Sequence, residues 1–384
     1  MKPFERVTIK GFRRLFDVSL EMRPLMVLIG ANGVGKTSIL DAFSLLAASA
    51  SGNLNRKLGE LGGLSEILTG DKTNGLSLAA EMNTPGFNPL TYDLSLELRG
   101  TTYAVSSETL TQVRQGHEND GPFMHIDSRY NDIKYYEVDE RRLLRPNWNH
   151  NPFETSLSQV PKMFRQPEEL RRVLGSAVLY HVLDVGQRAP VKLPQQMKPA
   201  EMPGESGEDL VPFLYSLRES DPERYEIVED TMRTAFQTFE AFGFPSTAAG
   251  MLALTWKDRY IRRPFYAHQL SEGTLRFLWL VALLFSPGLP TVTMIDEPEV
   301  SLHPELLSLL ADLLREASRR SQIIVTTHSD RLVRFLKPEE VVVMDLDEDG
   351  NAQATWADTL NLDDWLDDYT LDEVWRMGRM GARS

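Results

Sequence analysis

Apolar and polar residues alternate over Val7–Ile9 and Val18–Met22 and run together over Leu25–Ile29, with Gly11 and Pro24 between them. Short runs bounded by turn residues predict three strands close in sequence. After a glycine-rich turn the spacing changes: from Lys36, the residues Ile39, Leu40, Phe43, Leu45, Leu46 and Ala47 recur at helical intervals and stop in the small, polar stretch 49–53. From about 54 to 265 the character differs. Strands are predicted at Leu76–Met82, Tyr92–Leu98 and Thr102–Val105, a connector over 188–207 with Pro190, Pro194, Pro199 and Pro203, and a largely helical pattern over 209–244. Beyond Leu270 a regular alternation returns: helix Thr274–Phe285, strand Thr291–Ile295, helix Pro304–Arg320, strand Gln322–Thr327 and strand Glu340–Asp345. That order is the pattern of a parallel sheet with helical crossovers.

The pattern divides the chain into a first half of the core over 1–53, an inserted lobe over 54–265, a second half over 266–345 and a tail over 346–384. Neither internal repeats nor heptads long enough for a coiled-coil arm are present. The longest apolar run, Phe277–Phe285, has nine residues, whereas a membrane-spanning helix needs about 20. Charges interrupt the N-terminus before any apolar signal region forms, so a cytoplasmic protein is expected, without a membrane partner.

Among 384 residues, 55 acidic and 41 basic side chains give a net charge of −14. Positions 345–384 carry 11 acidic and 3 basic residues, hence −8 of that total. This balance excludes a generally basic protein that coats nucleic acid; any such contact must be a local patch. With no cysteine, disulfides, thiolate zinc sites and cysteine nucleophiles are excluded, and a reducing compartment suits the chain.

The chemistry lies in four places. Gly30, Ala31, Asn32, Gly33, Val34, Gly35, Lys36 and Thr37 fit G-x-x-x-x-G-K-[ST] between a predicted strand and a predicted helix. Glycines let successive amides turn toward phosphate oxygens, the helix N-terminus adds partial positive charge, Lys36 neutralises the β- and γ-phosphates and Thr37 ligates Mg²⁺. Second, the apolar strand ending in Asp296 and Glu297 supplies a metal-binding carboxylate, Asp296, and a neighbouring base that orients water, Glu297. Third, Leu270-Ser271-Glu272-Gly273-Thr274 opens a helix with a hydroxyl and free amides that suit an anion, or simply with an N-cap. Fourth, His328 follows a buried strand, at a place for a phosphate contact or an ordinary turn histidine.

Together these elements resemble an ABC-class ATPase of the SMC, RecF and OLD group. GANGVGKTS resembles its Walker A, so that Ser38 joins the nucleotide-binding set; LSEGT resembles its signature, MIDEPEVSLHP its Walker B and D-loop, and VTTHS its histidine switch. VTIKGFRRLFD resembles its first strand, in which Arg13 reaches the nucleotide. The compact insert and the ending DEVWRMGRMGARS resemble stand-alone ATPases related to OLD proteins. The resemblance implies an α/β P-loop NTPase of ABC-ATPase head type: a mixed or parallel sheet core, an N-terminal antiparallel β lobe and an inserted α+β lobe. It also implies ATP and Mg²⁺ as cofactors, Lys36, Glu297 and His328 as catalytic residues, and a homodimer that sandwiches ATP, with Ser271 and Gly273 acting in trans. A Q-loop glutamine is not selected among Gln112, Gln159 and Gln166, and LSEG places Glu272 close to an anion.

Two functional expectations follow: a nucleotide switch in DNA repair or anti-phage defence that meets double-stranded DNA, or a regulatory ATPase that controls a separately encoded effector protein, nuclease or toxin, without touching DNA. Arg141, Arg142 and Arg145 near Trp148, and Arg171 with Arg172, are the local basic candidates; solvated charge is the simpler reading of each. The acidic tail, with Trp365 and Trp375, is expected to pack on its own sheet rather than dock a partner.

Overall fold

The computed structural model of the protein describes residues 2–113, 121–130, 132–137 and 140–380, with the side chains of Asp71 and Asp363 outside that description. The C-terminal residues 381–384, which belong to the ending noted above, therefore lie outside the described residues.

The first two strands, β1 (Phe4–Phe12) and β2 (Leu15–Glu21), pair antiparallel, and the third, β3 (Leu25–Ile29), leaves them for another sheet. Every residue of β3 is buried, as a strand covered on both faces requires. The next six strands, β4 (Gly75–Met82), β5 (Leu90–Arg99), β6 (Thr102–Gln112), β7 (Phe123–Arg129), β8 (Asp132–Glu137) and β9 (Arg142–Leu144), continue the antiparallel sheet in the order β2-β1-β4-β5-β6-β7-β8-β9.

The second sheet collects β10 (Val178–Tyr180), β16 (Val292–Asp296), β17 (Gln322–Thr326) and β18 (Val341–Leu346) around β3 in parallel, and β19 (Ala352–Trp356) closes one edge antiparallel. Two small ribbons lie between: β11 (Gln195–Gln196) with β13 (Met251–Leu252), and β12 (Phe239–Gly243) with β14 (Thr255–Asp258) and β15 (Phe265–Tyr266).

Alternation along β3 shows how the layers stack. Met26 and Leu28 enter a core shared with the helix Lys36–Ala50 and the antiparallel sheet, whereas Leu25, Val27 and Ile29 enter a core with the helices Glu272–Phe285 and Leu307–Ser318. The helix Lys36–Ala50 is buried nearly all round, the mark of a helix held between two layers rather than lying at a surface. Phe4 and Phe43 meet edge to face at 5.8 Å across that layer. Gln322 joins the sheets directly, its side chain pairing with both N–H and C=O of Phe4 at 2.9 and 2.8 Å.

The stretch 54–265, expected as one inserted lobe, is divided: β4 to β9 extend the sheet begun by β1, and Val178–Tyr180 returns to the parallel sheet beside β16. The reason is strand pairing, since β4 covers the open edge of β1 that a separate lobe would leave bare. The pattern over 209–244 resolves into helices Leu210–Ser220 and Pro222–Ala235, broken where Asp221 caps the second and Pro222 opens it, and then the strand β12. There Phe239 packs on Trp256 at 4.3 Å, so tertiary packing overrides the local helical spacing. The tail does pack on its own sheet: β19 pairs with β18, and Trp375 is fully buried. No helix among the described residues is long and apolar enough to cross a membrane.

Candidate functional site

The parallel strands end on one edge, and their carboxyl ends carry the predicted residues. Gly30 follows β3, Asp296 closes β16 opposite Thr326 of β17, and His328 follows β17 by two residues. Ligand sites of open α/β sheets form at this edge because helices begin there.

Local backbone needs select the glycines. Gly30 has φ 143°, and a Cβ there would stand 2.3 Å from the Met344 carbonyl oxygen. Gly35, with φ 109°, is the left-handed residue that starts the helix Lys36–Ala50. Val34 is buried beneath the loop, while Asn32 and Gly33 are exposed on it. Arg13, Arg14, Gly33, Gly35, Lys36, Thr37, Ser38 and His328 line a cavity of about 280 Å³ at the helix N-terminus. Arg13 reaches this cavity while held by Asp41 at 2.6 Å, so the residue noted from the first-strand resemblance is on the wall.

Lys36 Nζ donates to the carbonyls of Gly30 at 2.6 Å and Ala31 at 2.9 Å and lies 3.5 Å from His328 Nδ1. Burial lowers its pKa to about 8, against the pull of Glu297, Asp296 and Glu299 in the other direction. His328 Nε2 is 3.5 Å from Glu297 Oε1. Its pKa is lowered by burial and then by the Lys36 charge, so the imidazole is neutral at neutral pH. Glu297 itself adopts φ 48°, uncommon for a residue with a side chain, and its N–H donates to the Thr326 carbonyl at 3.1 Å.

Asp296 Oδ1 accepts from Thr326 Oγ1, and its Oδ2 lies 3.8 Å from His181 Nδ1. Asp296 offers one carboxylate and Thr37, on the cavity wall, one hydroxyl, and among the described residues no group of three or more His, Asp or Glu could hold a cation. This set fits Mg²⁺, which is usually held by one or two carboxylates, phosphate oxygens and retained waters rather than by an all-protein cage.

The signature segment sits elsewhere. Ser271 Oγ accepts from the Thr274 N–H at 3.1 Å as an N-cap, and a Cβ on Gly273 would fall 2.5 Å from the Ser301 carbonyl oxygen, so glycine lets this helix approach the turn after β16. Neither residue lines the Lys36 cavity. Glu272 is exposed in the first helical turn.

Two site neighbours carried no sequence signal of their own. His181 follows the three-residue strand β10, too short to show a period, and stands beside Asp296 where the edge strand ends. Glu299 sits two residues beyond Glu297 and accepts from Thr327 Oγ1 at 2.6 Å and from the His328 N–H at 3.1 Å; its place in an acidic turn after the strand was the available clue. None of Gln112, Gln159 and Gln166 lines the cavity: Gln112 donates to Asn88 and Gln159 to Asn151, while Gln166 lies by Phe123.

The basic candidates are largely committed within the fold. Arg142 pairs with Glu140 at 2.9 Å and Arg145 with Asp132 at 3.0 Å. Arg171 donates to the carbonyls of Leu157 and Val160 and pairs with Glu168, and Trp148 packs on Tyr135. Arg141 is in the left-handed region with φ 54°, and Arg172 is exposed on its helix.

Known proteins resemble this chain in family and in fold. The family model described as "AAA domain, putative AbiEii toxin, Type IV TA system" matches residues 25–334. An OLD nuclease of Thermus scotoductus (strain ATCC 700910 / SA-01) is 23% identical over 362 residues, covering 88% of this chain; the chain spans 63% of the length of that relative. An SMC head bound to the C-winged helix domain of ScpA superimposes with TM-score 0.57 at 14% identity, over 92% of this chain and 97% of that one. The Pyrococcus furiosus SMC head with an extended coiled coil, bound to the C-terminal domain of ScpA, gives TM-score 0.54 at 12% identity over 96% and 100%. The fold is thus that of an ABC-type ATPase head.

Proposed function

Since the chain belongs to the AAA-domain family described as putative AbiEii toxin, Type IV TA system, and is an SMC/OLD-like ABC-type ATPase, we propose that it is a cytoplasmic nucleotide switch: it binds ATP with Mg²⁺, pairs with a second copy across the nucleotide, and serves DNA repair or anti-phage defence. The observation that carries this reading is the convergence of Lys36, His328 and Glu297 within 3.5 Å contacts beside a cavity at a helix N-terminus.

The residues divide the work by their chemistry. Amides of the loop Gly30–Thr37 and the start of the following helix face anionic oxygens, and Lys36 adds a full charge in a partly buried place where water screens it little. Thr37 and Asp296 hold Mg²⁺, which supplies positive charge against the phosphates when bound. Glu297 takes the proton of the attacking water, and neutral His328 fixes its carboxylate from one side. Arg13, anchored by Asp41, adds charge at the cavity wall.

Pairing is supported by where the signature lies. Ser271 and Gly273 are set on a helix start away from their own cavity, so a second copy is needed to bring such a helix N-terminus to the γ-phosphate. ATP that bridges two copies stabilises the pair, and hydrolysis releases it. Glu297→Gln with ATP and Mg²⁺ is expected to reach twice the 43.5 kDa chain mass in light scattering, and a monomer mass at saturating nucleotide contradicts the reading.

A further inference from the structure

The turn that joins β14 to β15 reads Arg259-Tyr260-Ile261-Arg262-Arg263-Pro264, and all six residues are exposed. Tyr260 keeps 82% of its surface in solvent. In a chain of net charge −14, three guanidinium groups on one short turn form a strong local departure.

The neighbouring carboxylates form no ion pair with them. Asp258 accepts from the turn's own Tyr260 N–H at 2.9 Å, and Glu240 pairs with Lys257 of the same ribbon at 2.7 Å. Arg259, Arg262 and Arg263 make no ion pair among the described residues. Arg142, Arg145 and Arg171, by contrast, are all paired. The turn is also braced: the Arg259 N–H donates to the Thr238 carbonyl at 2.9 Å, and the Asp258 cap fixes its first residues. A held backbone loses little further order when the side chains it carries meet an anion.

We propose that this turn is a nucleic-acid contact site that grips the phosphodiester backbone of a single strand with Arg259, Arg262 and Arg263 and stacks an unpaired base on Tyr260. This assignment rests on the DNA-linked reading above and gives it a surface. Arginine recognises phosphate through its planar set of donors, and a freely exposed aromatic ring among such charges is the combination that holds single strands without sequence preference. A base inside a duplex is already stacked, so Tyr260 favours an unpaired one.

The position links this contact to the signature segment. From β15 the chain passes through a short turn in which the Tyr266 N–H donates to Gln269 Oε1 at 2.9 Å and the Ala267 N–H to the Leu254 carbonyl at 3.0 Å, and it then reaches Ser271. The arginine turn and the signature thus belong to one hydrogen-bonded run of chain.

The test is fluorescence anisotropy of a labelled oligothymidylate of about 20 nucleotides with the full chain, at low and moderate salt. Joint Arg262→Glu and Arg263→Glu substitution is expected to weaken binding at least about tenfold and to flatten the salt dependence by roughly one to two units of log–log slope. Tyr260→Ala is expected to weaken the single strand about fivefold or more and leave a blunt duplex unaffected. Because the turn is exposed, the variants should keep the wild-type melting temperature. Unchanged affinity in the double variant overturns the proposal, as does a wild-type protein that binds no oligonucleotide, or equal Tyr260→Ala effects on duplex and single strand. If Glu297→Gln still forms its ATP-dependent dimer while no oligonucleotide binds, this inference fails and the nucleotide-gated dimer stands.

Discussion

Glu299 Oε1 accepts a hydrogen bond from Thr327 Oγ1 at 2.6 Å, tying the turn after β16 to the turn after β17. The same oxygen takes the His328 N–H at 3.1 Å, and the second carboxylate oxygen is buried with no hydrogen-bond partner. Burial raises the Glu299 pKa. A carboxyl held at that cost in place of an apolar side chain positions the backbone of His328, which faces Glu297. Glu299→Ala is expected to lower kcat for ATP about tenfold or more with little change in KM, since it frees His328 rather than the phosphate loop. Single-turnover and steady-state rates check this; an unchanged kcat contradicts it.

Lys36 gives a pH dependence with a definite sign. Its pKa in the free protein is about 8, and a bound triphosphate, being anionic, must raise it. Below that value the ammonium is already formed and binding takes up little proton. Above it binding must first protonate the amine, so affinity falls as pH rises. Calorimetry in buffers of different ionisation enthalpy is expected to show net proton uptake on ATP binding above pH 8 and little at pH 6.5, and equal heats in all buffers at both pH values contradict this.

Much of this site is visible from the linear chain because its residues sit at strand ends, where local pattern and chemistry coincide: β3 runs into Gly30, β16 into Asp296 and Glu297, and β17 into His328. The fold of the second sheet is legible for the same reason, since an apolar run followed by a helical stripe repeats. What pairing decides was not visible. Val178–Tyr180 carries too few residues for a period, yet its place beside β16 brings His181 to Asp296. Likewise, Arg142 and Arg145 look free in sequence and are paired in space, whereas the arginines of 259–263 gain their meaning only once Asp258 and Glu240 are seen to be engaged.

Glu108 provides a stability test away from the nucleotide. It is wholly buried, accepts from Tyr92 Oη at 3.1 Å and from the N–H groups of Ser156 and Leu157, and so pins the chain at 156–157 to β6. Burial raises its pKa, partly opposed by those hydrogen bonds. A raised folded-state pKa means that the stability Glu108 contributes is full below the ordinary carboxylate range and is lost as pH rises through the raised value. Melting temperatures of wild type and Glu108→Gln from about pH 5 to pH 8 should therefore diverge in slope, with the wild type falling more steeply. Parallel profiles contradict the assignment. Glu108→Ala, which strips three donors of their acceptor, should cost about 3 kcal/mol or more.

The central claim is that each ATP is bound by Lys36 of one copy and Ser271 of the other, and complementation tests it most directly. Lys36→Ala and Ser271→Arg are each expected to abolish ATP turnover alone. Mixed in equal amounts, they form heterodimers with one intact composite site, and turnover should return to about a quarter of wild type if subunits exchange freely in a two-fold symmetric pair. Wild-type turnover in Ser271→Arg alone, or a mixture that stays inactive while heterodimers are seen to form, contradicts the account.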